Sequence, residues 1–128
     1  MQEDLRAFLK ADAVLSGLAA GGVEWTRRSG DGLPAVVLHL ISGPRTNTMQ
    51  GRDTLVGYLV QIDCWGDDAM SAALTARAVV AALDDLPVGD LGPAFIENER
   101  ATIEPSQNGE ADLYRHSLDV RVWAQDAA

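Results

Sequence analysis

The stretch that most limits the fold is residues 55 to 86, LVGYLVQIDCWG followed by DDAMSAALTARAVVAALDDL. In the first part Tyr58, Val60, Ile62 and Cys64 fall on one side, and Leu59, Gln61, Asp63 and Trp65 on the other. That is the period of a strand. The second part changes period. Residues 68 to 86 are rich in alanine and leucine, both strong helix formers, and Ala72, Ala76, Val79, Val80 and Leu83 make an apolar stripe. Asp67 or Asp68 can cap the start, and Pro87 stops the helix. A strand with one apolar face, running into a helix of small side chains, predicts a sheet with that helix laid closely upon it.

Cys64 sits at this junction and is the only cysteine. A nucleophilic thiol needs a lowered pKa, partial exposure and a histidine or helix start beside it. Cys64 precedes a helix start, but Asp63 is negative and the thiol shares its strand face with apolar side chains. It reads as a core residue.

The remaining segments fit around this unit. Residues 2 to 16 read as a first helix, with Leu5, Phe8, Leu9 and Ala13 on one face. Glu3 and Asp4 suit the positive end of its dipole. Residues 23 to 27 read as a short strand, RSGDGLP as turn chemistry, and AVVLHLIS, residues 35 to 42, as a buried strand. Residues 93 to 105 read as a strand or two short ones. Residues 113 to 124 close the chain as a strand. There Tyr114, His116, Leu118, Val120 and Val122 alternate with Arg115, Ser117, Asp119, Arg121 and Trp123. The expected fold class is therefore α+β: a mainly antiparallel sheet packed against two helices, in the order α-β-β-β-α-β-β. A chain of 128 residues that is 47% hydrophobic is expected to form one domain, residues 1–128.

Between the second and third strands lies GPRTNTMQGRDT, residues 43 to 54. It is about twice the usual ~4–6-residue connection, and loops of this kind often carry contacts. Arg45, Thr46, Asn47, Thr48, Met49, Gln50 and Arg52 are candidate contact residues. Trp65 and Trp123, near the ends of two strands on the same side of the sheet, join them. They could cover the outer face together or sit under a neighbouring subunit.

Charge disfavours one class of partner. The net charge is −9, with nine arginines and one lysine among the bases, so a phosphate-gripping role is disfavoured. The distribution is uneven. Residues 23 to 52 carry +2, and residues 84 to 112 carry −7. These segments read either as two solvated faces or as complementary patches between copies. No apolar run approaches the ~18 residues of a membrane span. MQEDLRAFLK lacks the order of a signal peptide, and the lone cysteine gives no sign of an oxidising compartment.

No catalytic constellation is legible. His39 and His116 each lie within a strand among apolar neighbours, as satisfied core or sheet-edge histidines do. With Asp63 they could form a metal site or proton relay, but no short spacing supports one. Glu97, Glu99, Glu104 and Glu110 read as a solvated face. GDGLP lacks the lysine and following helix of a phosphate loop. Arg115, Asp119 and Arg121 are placed for cross-strand charge pairs, with Asp63 within their set.

The succession LRAFLKADAVLSGL, LPAVVLHLISG, VQIDCWGDD running into the alanine-rich helix, and LYRHSLDVRVW resembles the tail-completion proteins of long-tailed bacteriophages. These are also called tail terminators, with relatives in phage-like gene transfer agents. The resemblance spans nearly the whole chain in order. VQIDCW with its helix is the most specific piece. Ala35 stands where the family often has an aromatic residue.

The resemblance implies a structural virion protein, with no catalysis and no cofactor. It implies a hexameric ring on the head-proximal end of a tail tube, assembled in the bacterial cytoplasm. The ring stops tube elongation and joins the tail to the head–tail connector or stopper protein. DNA passes through without specific binding. The 43–54 loop is then expected to reach a neighbouring subunit or the tube below. A subunit of this length is about 36 Å across, and six in a ring leave a hole of about the same width. The alternatives are another neck component, such as an adaptor or stopper, a tube subunit, or a small ligand-binding domain or enzyme.

Overall fold

The computed structural model describes residues 1–28, 30–43, 55–105 and 111–125. The elements follow in the order α1 (Gln2–Ala11), α2 (Ala13–Leu18), β1 (Val23–Trp25), β2 (Ala35–Ser42), β3 (Leu55–Gly66), α3 (Ala69–Leu83), β4 (Leu91–Glu104) and β5 (Leu113–Gln125). The five strands form one sheet in the order β1-β2-β3-β5-β4. β1 runs parallel to β2, and every other pairing is antiparallel. The fold is α+β, in the order expected, with the first helical segment divided in two.

The division falls at Asp12. Its backbone is extended, and its carboxylate accepts from the Leu15 amide at 2.9 Å, capping α2. The break resets the helical phase. Leu5 and Leu9 of α1 are fully buried as expected, but Ala13 is exposed and Leu15 of α2 takes the core position.

α3 starts where its sequence signals it. The Asp68 carboxylate accepts from the Ser71 amide at 2.7 Å. The turn from β3 into α3 requires Gly66: a Cβ there would lie 2.2 Å from Ser71 Oγ and 2.7 Å from the Ala72 nitrogen. Ala72, Ala76, Val79 and Leu83 are buried, together with Thr75, Ala78 and Ala82. The small side chains let α3 lie close against β3 and β5.

The apolar core lies between the helices and one face of the sheet, here called the inner face. Val36, Leu38, Val60, Ile62, Cys64, Leu118, Val120 and Val122 supply it from the sheet; Leu5, Leu9, Leu15, Ala76, Val79 and Leu83 meet them from the helices. β4 is one continuous strand, not two. It bends at irregularities between Leu91 and Ala94 and between Ile96 and Asn98.

Two sheet segments depart from expectation. β1 ends at Trp25 because Thr26 adopts φ 76°, a conformation that turns a non-glycine residue out of a strand. β2 is buried only from Ala35 to Leu38; Leu40, Ile41 and Ser42 are exposed.

Candidate functional site

Among the described residues, the face of the sheet away from the helices carries a polar network and no second layer. Register fixes its members. Val37 pairs with Asp63, His39 with Gln61, Asp63 with Ser117, and Arg100 with Ser117. Asp63 is its centre and is buried. Ser117 Oγ donates to Asp63 Oδ1 at 2.6 Å, and Gln61 Nε2 donates to the same oxygen at 2.9 Å. His39 Nε2 lies 3.2 Å from Oδ2, and an Arg115 guanidinium nitrogen lies 3.8 Å from it. Arg100 extends the network by donating to Asp119 at 2.8 Å and to Gln61 at 3.1 Å. No buried side-chain nitrogen or oxygen among the described residues lacks a partner.

This arrangement holds the sheet together; it does not assemble a nucleophile. In a serine–histidine–aspartate relay the imidazole stands between hydroxyl and carboxylate. Here the carboxylate stands in the middle, and the Ser117 hydroxyl bonds to it directly. His116 lies on the inner face, opposite Cys64, and pairs with Glu99. The two histidines thus occupy opposite faces, and only His39 reaches Asp63. Among the described residues no group of three or more His, Cys, Asp or Glu side chains is placed to hold a metal. Cys64 is fully buried. Burial first, then the Asp63 charge, holds its thiol well above the ordinary range.

The two tryptophans share the outer face but not one end of it. Trp65 pairs with Arg115 and Trp123 with Gly57, so antiparallel β3 and β5 set them at opposite ends. The Arg115 guanidinium lies 5.3 Å from the Trp65 ring centroid. The Trp123 ring covers Gly57, where a Cβ would lie 3.1 Å from it. Arg45, Thr46, Asn47, Thr48, Met49, Gln50 and Arg52 lie outside the described residues.

Glu97, Glu99 and Glu104 lie on solvated surface, as expected, and each is paired there; Glu110 lies outside the described residues. Glu97 pairs with Arg121, Glu99 with His116, and Glu104 with Arg115. By contrast Arg27 and Arg28, just past β1, form no ion pair among the described residues.

Among the described residues the sheet also has two edges left open, at β4 and at the end of β2, neither of them foreseen from the sequence. Among the described residues, no strand lies beyond β4. On the other side, β1 covers β2 only from Val36 to Leu38. The outer side of β1 is itself occupied by α1: Arg6 Nε donates to the Val23 carbonyl at 3.1 Å, and Trp25 Nε1 to the Gln2 carbonyl at 2.9 Å. The signal for the β4 edge was present in FIENERATIE, whose alternation is too polar for a strand buried on either face.

The family model described as Tail completion protein gp17 matches residues 3–125. Among solved structures, a chain of "Virion of native gene transfer agent (GTA) particle" matches with a TM-score of 0.62 and 22% sequence identity. The match covers 95% of this chain and 92% of that one. At that identity the likeness is one of fold. No curated protein matches the chain.

Proposed function

The chain belongs to the Tail completion protein gp17 family, and from that premise we propose that it is a structural protein of the virion tail. In this reading residues 1–128 act as a single domain. Copies form a ring, hexameric in the simplest case, on the head-proximal end of the tail tube. The ring stops tube elongation and offers the opposite surface to the head–tail connector or stopper protein.

The observation that carries this reading is the family match over residues 3–125. The fold shared with a chain of a gene transfer agent virion adds to it. So does the net charge of −9, which gives passing DNA no counterion release with which to stick. The outer-face network serves this role as a brace across the strands.

Negative-stain microscopy of the purified protein mixed with its tail tubes tests the reading. Rings confined to one tube end, and tubes that stop growing once capped, are expected. Incorporation along the tube wall would make the protein a tube subunit instead. A protein that ignores both tube ends would overturn the proposal.

A further inference from the structure

The two open edges of the sheet match each other in height, direction and chemistry. Height follows from register. Leu40 pairs with Val60, Val60 with Val120, and Val120 with Ile96. Ser42 pairs with Leu59, Leu59 with Arg121, and Arg121 with Phe95. Leu40 and Ile96 therefore end one row of the sheet, and Ser42 and Phe95 the next, with Ile41 in the bulge between Leu40 and Ser42. Leu40 is 43% and Ile41 52% exposed at one edge; Ile96 is 38% and Phe95 56% exposed at the other.

Charge follows the same rows. Trp25 pairs with Leu38, which is level with Ile62, Leu118 and Glu99. The Thr26 amide then bonds to the Leu38 carbonyl, and the chain leaves the sheet there with Arg27 and Arg28. At that height the opposite edge carries Glu97 and Glu99, whose side chains keep about half their surface open beside Arg121 and His116.

Direction is fixed by topology. β4 runs with β3, and β2 runs against both. A rotation about an axis along the strands preserves strand direction. It brings β4 of one copy beside β2 of the next as an antiparallel pair. Two different edges meeting in this way make a heterologous contact, the kind that closes rings. Strand addition at a sheet edge supplies main-chain hydrogen bonds to hold it.

We infer that the outer edge of β4 docks on the Leu40–Ser42 edge of β2 in a second copy of this chain. Phe95 and Ile96 meet Leu40 and Ile41, and Glu97 and Glu99 face Arg27 and Arg28. α1 blocks β1 as an alternative partner and directs the incoming strand to the uncovered half of β2. The inference rests on the ring reading and identifies which surfaces close the ring.

The test is cross-linking in the assembled state. The single native cysteine is buried, so the background is silent. The double variant Leu40→Cys with Ile96→Cys is assembled on tail tubes and treated with a short bismaleimide. A ladder of covalent species ending at the ring size is expected, with no ladder from either single variant. Capped tubes without the ladder would overturn the edge contact and leave the ring reading standing. Coupling of position 96 to the tube protein would likewise overturn it. Wild-type protein that never caps tubes would remove the ring reading and this inference with it.

Charge reversal covers the case in which the cysteine pair fails to assemble. Arg27→Glu with Arg28→Glu is expected to weaken capping about tenfold or more, since like charges oppose docking. Adding Glu97→Lys is expected to restore part of it. Reversal without loss, or loss without rescue, overturns the inference.

Discussion

Asp63 and Cys64 are neighbours on β3, and each has 1% or less of its surface exposed, yet they are buried by different means. Cys64 lies under a layer of helices, among Val36, Leu38, Val79 and the other core side chains. Asp63 lies on the face away from the helices, among side chains that bond or pair with it: Ser117, Gln61, His39 and Arg115. The inner face is stabilised by apolar area removed from water, which needs no particular direction. The outer face is held by directed polar contacts, each replacing one with water and so contributing little net. The sheet thus has its apolar burial on one side and its directed polar contacts on the other.

The comparison makes the inner face the costlier one to damage. Leu118 is fully buried between α3 and the sheet, so Leu118→Ala removes its transfer free energy and leaves a cavity. A loss of about 3 kcal/mol is expected in urea unfolding of the isolated protein. Ser117, one residue earlier on the outer face, gives the matched measurement. Ser117→Ala removes one of the two donors to Asp63 Oδ1 and leaves Gln61 as the other; about 2 kcal/mol is expected to be lost, as for a hydrogen bond to a charged group. A larger loss for Ser117→Ala than for Leu118→Ala would break the comparison. It would make the polar face the one that holds the fold.

The sequence carried the inner face plainly and the outer face hardly at all. The alternation in β3 and β5, the alanine-rich α3 and its Asp68 cap are local patterns, and they place most of the core. Asp12 was legible in the same way, as a helix-capping residue, but reading one helix through it put Ala13 where Leu15 belongs. What fixes the outer face is non-local. Ser117 reaches Asp63 from 54 positions away, and only the register of β3 with β5 brings them together. The separation of Trp65 and Trp123 to opposite ends follows from strand direction, which residue type does not encode. The open β2 edge depends on β1 stopping after three residues, and that stop is a single positive φ at Thr26. The loop proposed from its length and polarity lies outside the described residues.

The smallest effect separates the two kinds of burial by pH. The Cys64 thiol is held protonated by the apolar layer above it and by the Asp63 charge beside it. A group whose folded pKa is raised contributes stability that is fully present below its unfolded pKa and lost as pH rises toward the folded one. The unfolded thiol titrates near ~8.5, so the loss begins there. Between neutral pH and about pH 9.5 the wild type is expected to lose about 1.4 kcal/mol relative to Cys64→Val. Alkaline titration of other groups is common to both proteins and cancels in the difference. Urea midpoints of the two proteins, followed across that range, measure it. Parallel curves would mean that the thiol ionises in place, and that the inner face admits water at the strand-to-helix junction. Diverging curves would locate the dry side of the sheet at Cys64.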